Sequence, residues 1–377
     1  MTVFNNGCEQ LNLLSEESIS VDLRRCITFR NRNAKCHRCA DVCVSGCIEY
    51  KDEAFSVHPQ LCVGCGTCAT VCPTAALEIL HPDDESLYRS IVGNSGEQKH
   101  AVIACSEACS AAFGSIEQID AFVRCLGRVD ECLLISLAAT GYVRVSLLCG
   151  DCPSCALASG ENETRAVCDT TNRVLGAWGV NDFCEIRVLD QECCAEKPSA
   201  ADAFTVHSDS SDATLNNARQ SHRMTGYAHV GSDGTLSHVV PERRERLLSA
   251  LQELGEPIHA QLNVSLFGDI RIDMNACVSC QMCAVFCPTA AIKKLGDYGD
   301  EEFGIIHSVG ECVKCRSCEQ ICHVDALKVI DTVQTQDIIT GATKRYLMKP
   351  RKVIPNDPHQ TMHAMRERLG VEQVYER

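Results

Sequence analysis

One cysteine spacing recurs four times along the chain and constrains the fold more than any other feature. Three copies are complete, follow the form Cys-x2-Cys-x2-Cys-x3-Cys, and begin at Cys62, Cys277 and Cys312. In the first two of these, Pro-Thr-Ala-Ala and an aliphatic residue follow the last cysteine. Proline suits the first turn of a helix. Thiols at this spacing are typical of metal ligation, and three full repeats by chance are very improbable.

The complete copies have the spacing of bacterial ferredoxins, which ligate pairs of [4Fe–4S] clusters. Three thiolates on a tight loop hold three irons of one cluster, and the fourth cysteine reaches across to the other cluster. This resemblance implies two α+β ferredoxin-like modules with two clusters each. The ligand sets predicted for the C-terminal module are Cys277, Cys280, Cys283 and Cys322, and Cys312, Cys315, Cys318 and Cys287.

The first copy, by contrast, is incomplete. Its last three cysteines align with those of the second copy, but Asn33 stands where the first ligand is expected. Cys26 precedes the motif, and Cys47 stands where the other copies have alanine, so both are candidate replacements. Cys26 is slightly favoured because a preceding loop can return to that corner, and a three-iron cluster stays open. The predicted N-terminal sets are Cys62, Cys65, Cys68 and Cys43, and Cys36, Cys39 and Cys72 with Cys26 or Cys47.

Composition limits the class of protein. The 377 residues suffice for several domains, and the 29 cysteines fit metal ligation better than a disulfide framework because no secretory leader is visible. So many thiols must be kept reduced, which predicts a cytoplasmic protein in an anaerobic or low-oxygen setting. No apolar run reaches transmembrane length, although peripheral membrane association stays open. The formal charge of −15 argues against nucleic-acid binding.

Residues 98–194 have a different pattern, in which short apolar runs alternate with helical ones. This alternation predicts an α/β domain with a parallel sheet. Cys105, Cys125 and Cys149 each follow a predicted strand, and ligands gather at the carboxyl ends of such strands. The simpler interpretation is that several of these strand-end cysteines are ordinary buried residues of the core. The alternative is a fifth metal site, whose candidate ligands are Cys105, Cys109, Cys125, Cys149, Cys152 and Cys155.

The same region resembles the delta iron–sulfur subunit of methyl-viologen-reducing hydrogenases. The resemblance rests on Cys105-x3-Cys109, on a Cys-x-Gly-Arg-Val sequence at 125–129 and on Cys149-x2-Cys152. That family carries a [2Fe–2S] cluster and passes electrons from a hydrogenase towards a flavin-containing heterodisulfide reductase. The resemblance implies that the ligands are Cys105 or Cys109, Cys125, Cys149 and Cys152. The additional Cys155 departs from the family's pattern and leaves the cluster type open.

The predicted organisation alternates modules with connecting segments. Residues 81–98 are interpreted as a linker, 49–57 as a hairpin, and 241–254 as an amphipathic helix that packs on its own domain. The predicted segments are a lead-in at 1–32, the first twin-cluster unit at 33–80, the α/β domain at 98–194, a polar linker at 195–240, a helix and connector at 241–270, the second twin-cluster unit at 271–332 and a tail at 333–377.

No motif for substrate chemistry accompanies the cysteines. No Gly-x-Gly-x-x-Gly follows a predicted strand, and no P-loop or His-Glu-x-x-His is present. The sequence therefore predicts a non-catalytic electron-transfer subunit with four [4Fe–4S] clusters, one of them open to atypical ligation, and one [2Fe–2S] cluster. Expected partners are a catalytic redox subunit and a flavoprotein, hydrogenase or membrane subunit. Two alternatives stay open: a disulfide reductase that uses the central cysteines, and a zinc-stapled interaction protein.

Overall fold

The computed structural model describes residues 18–31, 34–51, 54–94, 99–111, 119–189, 238–296 and 300–349. These residues form two small β-rich modules and a parallel α/β domain between them in sequence. Asn33, the polar linker up to residue 237 and the tail beyond residue 349 lie outside the described residues, so the predictions made for them stay predictions. Within the described ranges, no helix is long and apolar enough to cross a bilayer.

The N-terminal module has two small antiparallel sheets around the first two cysteine motifs. Strand β1 pairs with β4, and β2 pairs with β3, which confirms the predicted hairpin. Because β1 lies in the predicted lead-in, the module begins well before residue 33. Its elements are β1 (Ile19–Val21), α1 (Ile27–Arg30), α2 (Arg38–Asp41), β2 (Ile48–Lys51), β3 (Ala54–Val57), a 3-10 turn (Pro59–Leu61), α3 (Thr67–Thr70) and β4 (Leu77–Ile79).

A helix follows this module where a linker was expected. Helix α4 (Asp84–Asn94) buries Leu87 and Ile91 against the α/β domain. The linker prediction for residues 81–98 is therefore wrong over this helix. The Asp, Glu and Ser residues that suggested a linker leave only a narrow apolar stripe, and that stripe is enough to dock one helix.

The α/β domain contains a four-stranded sheet of order β6-β5-β7-β8. All three strand pairs are parallel, which confirms the predicted sheet. Asp130 caps α6 by accepting a hydrogen bond from the Leu133 N–H at 2.8 Å. Helix α7 begins at Ser159 and ends at Ala177. The elements are β5 (His100–Cys105), α5 (Ser106–Ala111), β6 (Ala121–Val123), a 3-10 turn (Leu126–Arg128), α6 (Glu131–Ala139), β7 (Arg144–Cys149), a 3-10 turn (Cys152–Ser154), α7 (Ser159–Ala177) and β8 (Cys184–Val188).

The C-terminal module repeats the pairing of the N-terminal one. Strand β10 pairs with β13, and β11 pairs with β12, which also pairs with β15 from the predicted tail. Strand β9 pairs with β14, and the predicted helix α8 packs on the α/β domain through Leu247 and Leu251. The elements are α8 (Glu242–Glu253), β9 (Gln261–Asn263), β10 (Asp269–Ile272), α9 (Met282–Val285), β11 (Ile292–Leu295), β12 (Gly304–Ser308), α10 (Ser317–Ile321), β13 (Leu327–Ile330), β14 (Thr332–Gln334), α11 (Thr335–Ile339) and β15 (Thr343–Leu347).

Candidate iron–sulfur centres

All the described cysteines of the two modules except Cys47 fall into four groups of four thiols. Each group combines three cysteines from one motif or its preceding loop with the last cysteine of the neighbouring motif, as the spacing predicts. The groups are site 1 (Cys26, Cys36, Cys39 and Cys72), site 2 (Cys43, Cys62, Cys65 and Cys68), site 3 (Cys287, Cys312, Cys315 and Cys318) and site 4 (Cys277, Cys280, Cys283 and Cys322).

One thiol in each group shows the proximity of the others through its pKa. Burial and, after it, the charges of the other site 1 thiols raise the pKa of Cys39 to about 12. Burial also raises the pKa of Cys68, Cys318 and Cys283, with the charges of their own site's thiols as the next cause. Four thiolates in one buried place need a compensating positive charge, which the iron atoms of a cluster supply.

Backbone N–H groups point at the sulfurs, which is the second feature that fits a cluster. The last cysteine of every motif accepts one hydrogen bond, from Ile48 to Cys43, Ala76 to Cys72, Ile292 to Cys287 and Ala326 to Cys322, at 3.2–3.4 Å. The first cysteine of the second and third motifs accepts one from the residue two positions later, at 3.4 Å. Such hydrogen bonds stabilise thiolate charge and tune the reduction potential of a cluster.

Cys26 occupies the position of a first ligand in the N-terminal module. The Asp22 N–H donates to the Ala76 carbonyl at 2.8 Å, and the Asp273 N–H donates to the Ala326 carbonyl at the same distance. Four residues after these aspartates lie Cys26 and Cys277, so the two cysteines are structurally equivalent. The loop from Cys26 to the next cysteine is seven residues longer than its counterpart. The gap at Asn33 in the motif therefore reflects an insertion.

Cys47, the other candidate, lies with a different group. It is buried, and its pKa is raised first by a hydrogen bond to Cys62 and then by burial. The charges of Cys43 and Cys68 add to that rise, and all three of these neighbours belong to site 2. Cys47 is thus a fifth thiol beside site 2, and the structure does not bring it to site 1.

The strand-end cysteines of the α/β domain meet in one cavity, here called the central site. The thiols that line it are those of Cys105, Cys125, Cys149, Cys152 and Cys155. A methyl group at Gly160 of α7 would collide with the Cys125 sulfur, so the absence of a side chain makes room there. The backbone of Cys109 lies in α5, and its side chain lies outside the described ones.

The central thiols suit ligation better than nucleophilic chemistry. Burial raises the pKa of Cys149, and burial followed by the charge of Cys149 raises the pKa of Cys152 to about 12. A dithiol enzyme requires a lowered thiol pKa. The sulfurs of Cys105 and Cys155 also accept backbone hydrogen bonds, at 3.5 and 3.3 Å. Within the described ranges, no three His, Cys, Asp or Glu side chains are grouped to hold a single metal ion.

The motif at 125–129 also joins the central domain to the N-terminal module. Gly127 packs so closely on Thr67 of α3 that a Cβ would collide with it. Arg128 is buried and donates to the Asp84 carboxylate at 2.5 Å and to the Pro82 carbonyl at 3.3 Å. The Gly-Arg pair thus packs against Gly66 and Thr67, which lie between Cys65 and Cys68 of site 2.

Two arginines contact the carbonyls of candidate ligands, although no sequence motif indicated them. Arg243 and Arg244 lie in the charged first turn of α8, the helix that was predicted to be amphipathic. In the structure, Arg243 donates to the Cys72 carbonyl and Arg244 to the Cys312 carbonyl. Burial of these arginines could not be recognised from periodicity, because it depends on how the modules pack together.

Comparison with known proteins identifies two 4Fe-4S binding domains in the chain, at residues 55–78 and 270–293. An uncharacterized ferredoxin of Methanocaldococcus jannaschii is 35% identical over 71 residues, which are 19% of this chain and 40% of that protein. Ferredoxin 7Fe of Hydrogenibacillus schlegelii is 38% identical over 45 residues, 12% of this chain and 55% of that protein. The chain thus contains two ferredoxin-type modules, as predicted, but spans only about half of these relatives' length. The matches support an iron–sulfur electron-transfer role, and the two matched 4Fe-4S binding domains lie outside residues 98–194.

Proposed function

We propose that the protein is a multi-cluster electron-transfer subunit of a larger oxidoreductase complex. Sites 1 to 4 each hold a [4Fe–4S] cluster, and the central site holds a further iron–sulfur cluster. The protein works in a reducing, oxygen-poor cytoplasm, since its many thiols would otherwise oxidise.

The observation that carries this proposal is the continuous order of the five sites. Neighbouring sites lie close enough for a thiol of one to raise the pKa of a thiol in the next. These interactions between thiols support the order central site, site 2, site 1, site 3, site 4. The linking pairs are Cys125 with Cys65, Cys68 with Cys39, Cys315 with Cys36, and Cys318 with Cys283. Electron tunnelling weakens steeply with distance, so a series of closely spaced clusters is what a relay requires.

The two ends of this series differ in their surroundings. Cys280 of site 4 is exposed, whereas Cys152 and Cys155 of the central site are partly exposed. We infer that electrons enter at one of these ends and leave at the other. A catalytic redox subunit at one end and a flavoprotein, hydrogenase or membrane subunit at the other would complete the path.

The central cluster is proposed to be [2Fe–2S], as the resemblance to the hydrogenase delta subunit implies. Cys105, Cys125, Cys149 and Cys152 are the proposed ligands, and all four line the same cavity. Cys155 lines it too and is the alternative ligand. Five cysteines line this cavity, more than the two that a disulfide reductase needs, which argues against that alternative.

Anaerobic purification with iron and sulfide analysis tests the proposal. We expect a brown protein with about 18 irons per chain, four from each cubane and two from the central cluster. After reduction, electron paramagnetic resonance should show magnetic coupling between clusters, because neighbouring sites are close. Fewer than about eight irons, or a colourless zinc-containing protein, would rule the relay out.

A further inference from the structure

Helix α8 contacts both modules through two consecutive arginines. Arg243 donates to the Ala69 carbonyl at 2.9 Å and also to the Cys72 carbonyl, which belongs to site 1. Arg244 donates to the Cys312 carbonyl of site 3 at 2.6 Å. Sites 1 and 3 are the neighbours that face each other across the boundary between the modules, through Cys36 and Cys315. One helix therefore holds both sides of the step that crosses from module to module.

Arg244 is held in a single orientation. It is 4% exposed, and its other nitrogens donate to the Gly310 carbonyl at 2.7 Å and the Leu266 carbonyl at 2.9 Å. Its guanidinium lies over the Phe267 ring at 4.1 Å. With all these partners neutral, its orientation is fixed while its charge stays uncompensated.

Among the described residues, no carboxylate is hydrogen-bonded to Arg244, although those of Asp130 and Glu131 line the same cavity. Burial lowers the pKa of Arg244 to about 10, which still leaves the group protonated at neutral pH. None of the ion pairs among the described residues involves Arg244, and the Glu131 carboxylate acts on it only at longer range. A buried cation without a paired anion is costly. The thiolate-ligated cluster at site 3 would supply the missing negative charge.

We propose that Arg243 and Arg244 are positioning residues for electron transfer between the modules, and that the buried charge of Arg244 raises the reduction potential of the site 3 cluster. This rests on the proposed relay. In the step itself, the reduced site 1 cluster loses one electron and the site 3 cluster gains it, with no bond or proton transferred. A fixed cation stabilises the extra negative charge of the reduced cluster more than it stabilises the oxidised one.

Arg246 on the same helix provides a matched control. It donates to the Asp84 carboxylate at 2.9 Å and interacts with the Cys132 thiol, which belongs to none of the sites. Replacing it removes a partly buried arginine of α8 without touching a ligand carbonyl. Any general loosening of α8 would appear in this variant as well.

The test is a redox titration of the full-length, anaerobically purified protein, followed by electron paramagnetic resonance. The site 3 signal is first assigned by its change in Cys318→Ser. We expect Arg244→Met to make reduction of site 3 about tenfold less favourable, a shift of about 59 mV to lower potential for one electron. Arg244→Lys should keep most of the wild-type potential, and Arg246→Met should leave every cluster unchanged.

The outcomes separate this inference from the proposed function. The absence of clusters from the wild-type protein would refute the proposed electron-transfer function itself. An unchanged site 3 potential in Arg244→Met with full iron content, or an equal shift in Arg246→Met, would overturn the inference alone. If Arg244→Met loses the site 3 cluster altogether, Arg243→Met becomes the decisive variant, because the Arg243 side chain is more accessible. In that case, an unchanged site 1 signal together with unchanged reduction of site 3 through site 1 would refute the positioning role.

Discussion

Arg30 donates a hydrogen bond to the carbonyl of Cys287 at 3.5 Å, although 257 residues separate the two in sequence. Arg30 ends α1, which lies in the insertion between Cys26 and the next cysteine of site 1. It is 5% exposed, and the same carbonyl is 2.6 Å from the His238 ring nitrogen. The insertion that obscured the first motif thus docks the N-terminal module on site 3.

The position of Cys26 predicts the outcome of two cysteine substitutions. Cys26→Ser should convert or destroy the site 1 cluster, with a loss of at least about one iron per chain, since a cubane that lacks a ligand sheds that iron. Cys47→Ala should keep full iron content, because this residue lies beside site 2 and matches the alanine of the other motifs. Iron analysis with electron paramagnetic resonance of the oxidised protein, where a three-iron cluster gives a signal, measures both. The opposite pattern would make Cys47 the ligand.

The regular cysteine spacing predicted most of the candidate sites because ligand geometry is local. In sites 2, 3 and 4, three of the four thiols lie within a few residues of each other, so the sequence itself shows them as a group. The first motif was harder, since α1 and its loop are inserted between Cys26 and Cys36 and spacing alone suggested Asn33. Only the equivalent hydrogen bonds of Asp22 and Asp273 reveal the correct alignment.

The parallel sheet was also predictable, because its buried strands are continuous apolar runs. Strand β1 and helix α4 were not predicted, because neither has a continuous run of apolar residues. A strand of three residues such as β1 shows no periodicity, and α4 buries only Leu87 and Ile91 along its length. The contacts of Arg244 depend on packing between modules, which no local pattern encodes.

The tight fit at Gly160 predicts that a single methyl group disturbs the central site. Gly160→Ala should reduce the iron bound there, because the new Cβ would collide with the Cys125 sulfur. Gly176 lies in the same helix, and its nearest atom to a new Cβ is at 3.7 Å. Gly176→Ala should therefore keep the cluster and gain up to about 1 kcal/mol in stability. Visible absorption of the two reconstituted variants measures the cluster bound at the central site. Equal spectra would contradict the proposed close contact between Gly160 and the Cys125 sulfur.

The raised pKa of Glu131 predicts that the stability of the protein depends on pH. Burial raises the pKa of Glu131 to about 7, and the Asp130 carboxylate adds to the rise. The unfolded chain has a glutamate pKa of about 4.3. Between these two values the native state binds more protons than the unfolded state, so the free energy of unfolding falls as pH rises and levels off above about 7.

Replacing the Glu131 carboxylate with a neutral amide should remove the fall in the free energy of unfolding with rising pH. Glu131→Gln is expected to raise the thermal midpoint at pH 8 more than at pH 6, because the amide stays neutral at both. Anaerobic thermal denaturation of the cluster-loaded protein measures the difference. The charge of the Glu163 carboxylate also raises the pKa of Glu131, so Glu163→Gln should reduce the pH dependence without abolishing it. An equal midpoint shift at the two pH values would show that Glu131 does not titrate in this range.

Removal of iron should unfold the N-terminal module and spare the α/β domain. Among the described residues, the buried core of the N-terminal module has six members, of which Cys47, Cys68 and Cys72 are three. The core that contains the parallel sheet has 39 buried members, and only five are cysteines. Apolar burial alone can therefore hold the sheet, whereas the module depends on metal binding for its folding energy. Hydrogen exchange after anaerobic chelation should show protection lost from β1 to β4 and kept in β5 and β7. Equal loss in both regions would mean that the sheet also depends on a cluster.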